Sequence, residues 1–275
     1  MPATVDELAA FDEIIDVRSP GEFAEDHIPG AINLPVLSDA ERERVGTLYK
    51  QVSSFEAKKI GAALVARNIA LHLDTWFAGK PKSYRPLVVC WRGGSRSGSL
   101  THILQKIGFT AMQLDGGYKA YRRHVVTELA RLPAQFAYRV VSGPTGSGKS
   151  RLLLALASEG AQVLDLEVLA AHRGSLLGAL PGQAQPSQKS FESAVWSALN
   201  GFDPARPVFV ESESKKIGAL RVPDALIAAM HASPCLRLDV PQAARVQLLT
   251  EDYAHFLLDP ETINRQLGFL TALRG

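Results

Sequence analysis

The 275-residue chain is long enough for two ordinary domains, and its 46% hydrophobic and 21% charged side chains exclude a disordered or fibrous protein. With 30 basic against 28 acidic side chains the formal charge is only +2, which argues against a strong non-specific grip on nucleic acid and leaves room for a local basic patch. The N-terminal MPATVDELAAFDEIIDV has acids where a signal peptide needs a basic end and an apolar run, and no later stretch approaches a membrane span, so a cytoplasmic protein without membrane contact is expected. Cys90 and Cys235 lie far apart and lack metal spacing, which suggests neither a disulfide scaffold nor a zinc site.

In chain order, short apolar runs alternate with longer helical patterns, the signature of an α/β fold with a mostly parallel sheet between helices. Strands are expected at EIIDV (13–17), AINLP (31–35), PLVVC (86–90) and AMQLD (111–115). A helix beginning near Phe55 sets Ile60, Leu64 and Leu71 at helical spacing, with Lys58, Lys59 and Arg67 on its wet side, and another should follow Cys90. The basic helix YKAYRRHVVTELARLP (118–133) closes the first unit, and Pro133 offers a stop before a strand that begins at Ala137. The boundary is therefore placed between 130 and 137, giving domains 1–133 and 134–275. The second unit reads strand AYRVVSG, a glycine-rich turn, helix SRLLLALASEG, strand AQVLDLE, a polar loop, helix FESAVWSALNGF, strand PVFVE and strand CLRLDV. That is a nucleotide-binding layout.

Cys90 ends an apolar strand and is followed by Trp91, Arg92, Gly93, Gly94, Ser95, Arg96 and Ser97, the pattern cysteine, five residues, arginine, serine. If this loop turns into a helix near Arg96, its amides and the helix N-terminus converge on one spot, with Arg92 and Arg96 adding charge, and such a field favours a thiolate. The alternative is a buried structural cysteine. Two chemistries use a loop of this kind: a cysteine phosphatase, or a rhodanese-type carrier of sulfur or selenium. Upstream, DVRSPGEFAEDHIPGAINLPV (16–36) resembles the rhodanese signature at Asp16, Arg18, Glu22, Phe23, His27, Pro29, Gly30, Ala31 and Asn33. Asp16 and Arg18 are expected to form a buried pair supporting the loop, and His27 to position a turn.

GPTGSGKS (143–150) fits the phosphate-binding P-loop at every fixed position and lies between an expected strand and helix. Gly143, Gly146 and Gly148 would let the backbone, with Thr145 and Ser147, wrap a diphosphate. Lys149 would neutralise it and Ser150 would hold magnesium. The motif reads phosphate rather than a base, so ATP is the common ligand and not the only one permitted. Acids at strand ends, Asp165 and Glu167 or Glu211 and Glu213, are candidates for the metal's water shell, with ordinary strand-end solvation as the alternative. His172 and Arg173, with Ser214, Lys215 and Lys216, would supply cations to a phosphate or an RNA backbone, or form a solvated face.

A rhodanese-like unit followed directly by a P-loop unit, together with CWRGGSRS, GPTGSGKS, LEVLAAHRGSLLG, QPSQKSFE and VESESKKIG, resembles the tRNA 2-selenouridine synthase family over nearly the whole chain from Ile14. That resemblance implies a rhodanese-like domain ahead of a P-loop NTPase-like α/β domain. The implied reaction is a two-step exchange at the wobble 2-thiouridine of tRNAs for Lys, Glu and Gln. Geranyl diphosphate first alkylates the sulfur, and selenophosphate then supplies the selenium that replaces the geranylthio group. On this mapping Cys90 would attack selenophosphate and hold selenium as a selanyl adduct, with Arg92 and Arg96 stabilising the phosphate group. Lys149 and Ser150, with magnesium, would grip the diphosphate of the prenyl donor, and no tightly bound cofactor is expected. Lys119, Arg122, Arg123 and Arg131 are candidate RNA contacts, and Trp91 is either a base-stacking platform or packing beneath the loop. Family members run on beyond LGFLTALRG with further helices, so the chain would correspond to a C-terminally shorter form. The rival readings are a rhodanese-type sulfurtransferase or a cysteine phosphatase with an attached nucleotide-binding domain, although Val89 stands where such phosphatases commonly carry histidine.

Overall fold

The computed structural model describes residues 2–175 and 177–254, with 264, 267 and 268. It divides into two compact units, Met1–Val125 and Val126–Gly275, the dividing point lying inside one helix. The fold is α/β with parallel sheets, as the periodicity requires. Among the described residues no helix is long and apolar enough to cross a membrane.

In the first unit β1 (Glu13–Asp16), β2 (Ile32–Asn33), β3 (Pro86–Val89) and β4 (Met112–Gln113) form an all-parallel sheet in the order β2-β1-β3-β4. The chain leaves β1 toward β2 and returns on its other side as β3. This places a topological switch at the carboxyl ends of β1 and β3, where α/β sheets form their sites. Between the strands lie α1 (Pro20–Glu25), α2 (Asp39–Gln51), α3 (Ser54–His72) and α4 (Ser95–Ile107), and α5 (Gly117–Leu129) follows β4. Ile15, Val17, Val88, Leu100 and Leu104 pack with Val36 and Ile69 into one core. β2 and β4 are two-residue strands rather than the five expected. α2 went unread in the sequence: its residues are mostly polar, and a capping box starts it, in which Ser38 Oγ accepts from the Glu41 amide at 3.2 Å and Glu41 accepts from the Ser38 amide at 2.9 Å.

In the second unit β5 (Tyr138–Ser142), β6 (Gln162–Leu164), β7 (Val208–Glu211) and β10 (Cys235–Arg237) form a parallel sheet in the order β10-β5-β7-β6. The helices are α6 (Lys149–Ser158), the short α7 (Leu166–Leu169), α8 (Gln188–Asn200), α9 (Asp224–His231) and α10 (Gln242–Asp252), and β8 (Lys216–Ile217) pairs with β9 (Leu220–Arg221) as a hairpin. The expected strand AQVLDLE is cut short, because Asp165 caps α7 by accepting from the Val168 amide at 2.9 Å, which removes Glu167 from the strand. β7 lies between β5 and β6, so Glu211 at its end stands beside the loop that leaves β5.

The most demanding group in the first core is Arg18, 1% exposed. Its Nη2 donates to Asp16 Oδ2 at 2.6 Å and to the Asp26 carbonyl at 2.7 Å, and its guanidinium lies 3.9 Å from the centre of the Tyr118 ring. Removing the carboxylate leaves a buried cation uncompensated, so Asp16→Ala should cost about 3–5 kcal/mol of the first unit's stability in urea unfolding. The double change Asp16→Leu with Arg18→Met should recover part of that loss.

Candidate functional site

β3 delivers Cys90 to the switch point and the chain then curls back over it. The Cys90 sulfur accepts from the Gly94 amide at 3.3 Å and from the Ser97 hydroxyl at 3.0 Å, while Gln113 Nε2 donates to Ser97 Oγ at 2.8 Å. Gly94 is the residue before α4, so the sulfur sits at that helix's N-terminus, where unpaired amides favour an anion. Two glycines make the wrap possible. A side chain on Gly93 (φ +65°) would lie 2.7 Å from the Leu114 carbonyl, and one on Gly117 (φ +58°) would lie 2.2 Å from the Cys90 carbonyl. α5 abuts the loop directly, its Tyr118 and Lys119 amides donating to the carbonyls of Cys90 and Trp91 at 2.8 and 3.0 Å.

The rhodanese-type signature surrounds this loop. Asp16 and Arg18 form the buried pair already described, and His27 donates from Nδ1 to the Phe23 carbonyl at 2.9 Å while stacking on the Phe23 ring. Asn33 ties the ends of β1 and β2 by donating to the Asp16 and Arg18 carbonyls at 2.9 Å. Arg96 departs from expectation: its Nη1 donates to Glu22 Oε2 at 2.7 Å, so its charge is engaged by α1 rather than held free over the loop. Arg92 is exposed, and Trp91 packs beside Tyr118 with ring centres 5.4 Å apart, which is the packing alternative. Lys119, Arg122 and Arg123 share one face of α5 next to the loop, whereas Arg131 lies beyond that helix and is bonded in a fork to Glu128 at 2.8 and 2.9 Å.

In the second unit the P-loop follows β5 and opens α6. Gly146 and Gly148 both take φ +78°, the Ser147 amide donates to the Pro144 carbonyl at 3.0 Å, and Lys149 Nζ donates to the Gly143 carbonyl at 3.0 Å. Ser150 Oγ donates to Glu167 Oε2 at 3.0 Å. These groups line a cavity of about 720 Å³ together with Asp165, His172, Arg173 and Glu213. α10 borders the same cavity: Arg245 Nη2 donates to the Thr145 carbonyl at 3.1 Å, and a side chain on Gly146 would meet Leu249 at 2.6 Å. Nothing in the sequence singled out α10, since a short amphipathic helix after a last strand has no motif. Cys235, exposed on β10, donates to Ser142 Oγ at 3.0 Å.

Three carboxyls, Asp165, Glu167 and Glu213, line this cavity, and Glu211 is buried in contact with the Glu167 amide. Burial pushes Glu211 up to about 8, with the Asp165 charge adding to it, and burial with the neighbouring Glu167 charge pushes Glu213 to about 7. Asp165 and Glu167 are raised as well, chiefly by burial. Glu211 Oε1 accepts from the Glu167 amide at 2.8 Å, while Oε2 is buried without a partner. His172 does not act as a cation here: it is buried, burial lowers its pKa, and Nδ1 accepts from the Gly174 amide at 3.2 Å. Arg173 Nη1 donates to the Asp252 carbonyl, with its guanidinium 5.3 Å from the Tyr253 ring centre. Lys215 and Lys216 are exposed at the β8–β9 hairpin and are not among the cavity's lining.

Magnesium fits this donor set in one way only. The described residues contain no cluster of three protein ligands able to hold a metal alone, whereas the orphaned Glu211 oxygen and the Ser150–Glu167 pair offer hard oxygen donors beside a phosphate loop. That is the arrangement in which Mg²⁺ is shared between one or two protein oxygens, water and a bound phosphate. It would neutralise a phosphate bound there.

The raised carboxyls set a pH dependence. The folded state holds protons on Glu211 and Glu213 that an unfolded chain releases near the ordinary value of 4.5. Their contribution to stability is complete below that value and is lost as pH rises through about 7 and 8. Amide exchange in β7, corrected for intrinsic rates, should therefore show weaker protection at about pH 9 than at about pH 6, roughly one unit outside these values, and Glu211→Gln should flatten that difference.

Comparison with known proteins bears on both units. The family model described as tRNA 2-selenouridine synthase AAA domain matches residues 136–269, and that described as Rhodanese-like domain matches residues 2–124. The chain is 38% identical over 244 residues to a tRNA 2-selenouridine synthase of Nitrosomonas europaea, covering 87% of this chain and 63% of that protein. It is 38% identical over 247 residues to one of Aeromonas salmonicida, covering 89% and 65%. The chain thus spans less than two thirds of the length of these two relatives. Against the Chromohalobacter salexigens protein of the same name the identity is 36% over 255 residues, covering 92% of this chain and 68% of the relative. With both units matched in order and each loop inside its matched segment, the chain belongs to the tRNA 2-selenouridine synthase family.

Proposed function

We propose that this protein replaces the 2-thio sulfur of the wobble uridine in tRNAs for Lys, Glu and Gln by selenium, with one unit for each half of the exchange. The observation that carries this reading is the presence in one chain of two different loops suited to anions: a thiol at Cys90 that accepts from the Gly94 amide and the Ser97 hydroxyl at a helix N-terminus, and an ammonium at Lys149 on the glycine-rich loop that opens α6.

In the first half, the thiocarbonyl sulfur attacks C1 of geranyl diphosphate, the C–O bond breaks, and diphosphate leaves with the electron pair. The P-loop amides and Lys149 stabilise the charge that develops on that leaving group. In the second half, selenium bonds to C2 of the uridine and the C2–S bond breaks, its electron pair departing with sulfur as geranylthiolate. Selenium enters and sulfur leaves at the same oxidation level. Electron balance therefore favours Cys90 acting at the phosphorus of selenophosphate: the P–Se pair stays on selenium, and the phosphoryl group passes to the cysteine and then to water. A selanyl adduct on Cys90 would instead require phosphorus to leave with that pair. The cations of α5, Lys119, Arg122 and Arg123, adjoin the Cys90 loop and suit an RNA backbone. A cytoplasmic location agrees with a tRNA substrate and a working thiol.

The test is nucleoside mass spectrometry on 2-thiouridine tRNA incubated with the protein, geranyl diphosphate and selenophosphate, each donor being omitted in turn. A geranyl mass should form with the first donor alone and give way to a selenium mass with both. Cys90→Ala should block selenium entry and leave geranylation intact, while Lys149→Ala should slow geranylation by about 10²–10³. Loss of geranylation in a folded Cys90→Ala protein would refute this division of labour.

A further inference from the structure

The first unit carries a second concavity that the anion chemistry of Cys90 does not explain. It is a groove of about 700 Å³ between α2, α3 and α4. Its walls are apolar: Val45 from α2, Val65 and Ile69 from α3, and Ile103 from α4. α3 keeps it open by turning small residues toward it, Ala57, Gly61, Ala62 and Ala66, and a side chain on Gly61 would already press within 3.3 Å of Val45. One end is formed by Ser95, Arg96 and Ser99, on the first turns of the helix whose N-terminus receives the Cys90 sulfur. Cations stand at its rim, Arg42, Lys58 and Arg96, the first and last of them facing Glu22.

A groove of this build takes a slender aliphatic chain with a polar or anionic head. From Ser95 to Ile103 it runs about 12 Å along α4, comparable with an extended ten-carbon chain, and its volume lies within the range of small-ligand sites. We infer that this groove holds the geranyl chain of the S-geranyl uridine while selenium is exchanged at the Cys90 loop. The inference rests on the two-step reading above. In that step the bond broken lies between the uridine ring and sulfur, so the departing group is an apolar thiolate whose chain must leave water beside an otherwise polar loop. Ser95, Arg96 and Ser99 join that shelter to the first turns of α4, the helix whose N-terminus receives the Cys90 sulfur. Burial of several methylenes would give the enzyme a handle on the alkylated nucleoside that the unalkylated thiouridine lacks.

The test uses an anticodon stem-loop whose wobble 2-thiouridine carries a geranyl chain with a diazirine at its far end. The full chain is irradiated with this probe and the labelled peptides are mapped. Label should fall on α2, α3 and α4. It should drop about tenfold in Ala66→Trp and in Ala62→Trp, both of which project from exposed positions of α3 and leave its buried face intact. Circular dichroism establishes that each variant is folded. Selenium transfer from an S-geranyl stem-loop should fall by a similar factor in these variants, while transfer from an S-methyl stem-loop should not change. Label on the second unit, or label in the groove region that neither tryptophan reduces, overturns the inference. Mapping needs no turnover, so the two readings fail separately. Label in the groove without selenium incorporation removes the reaction and leaves the groove assigned. Normal incorporation by Ala66→Trp with label elsewhere removes the groove and leaves the reaction.

Discussion

Buried Arg18 is tied to the Cys90 loop through Tyr118. A guanidinium that is 1% exposed must have its charge and its donors met, and the groups that meet them come from separated parts of the chain. Asp16 at the end of β1 supplies the carboxylate, the Asp26 carbonyl after α1 takes one donor, and the Tyr118 ring of α5 covers the plane. Tyr118 in turn donates from its hydroxyl to Asp26 and from its amide to the Cys90 carbonyl. The end of β1, the turn after α1 and the start of α5 are thereby fixed to one another, and the loop after β3 closes in the space between them. The apolar core alone would hold the sheet; the ionic group determines how the loop meets it.

The second unit handles anions on a different principle. Its cavity has the Lys149 ammonium on the glycine-rich loop and the carboxyls of Asp165, Glu167 and Glu213, with Glu211 buried beside Glu167, and burial raises the pKa of all four carboxyls. On the proposed reading, a diphosphate would bring charge that Lys149 takes up, with magnesium held between the phosphate and the carboxyls. On that reading the first unit would rely on a single nucleophile and the second on neutralisation, which suits a leaving group rather than an attacking one.

Much of this was legible in the residues. The succession of strands along the chain, both loops and the Asp16–Arg18 pair follow from apolar runs that end in glycine-rich turns and from charges placed where only pairing lets them survive. The unread parts share a physical cause: they depend on partners distant in sequence. Arg96 looks like a loop cation until Glu22 of α1 reaches it, and His172 looks like part of a basic cluster until burial keeps it neutral. Asp165 reads as a strand end and acts as a cap for the helix that carries Glu167. The groove between α2, α3 and α4 is made of what three helices leave unfilled, and no periodicity within one helix records an absence shared among several.

The placement of the two cysteines bears on how the chemistry at Cys90 can be followed. Cys90 is 3% exposed and wrapped by its loop, whereas Cys235 lies open on β10 in the other unit. A bulky thiol reagent therefore meets Cys235 first, and the fraction of protein it modifies counts the wrong sulfur. Mass increments on the intact chain would carry the same ambiguity. Only a background in which Cys235 has been replaced by serine makes a covalent signature on this protein a statement about its reactive loop.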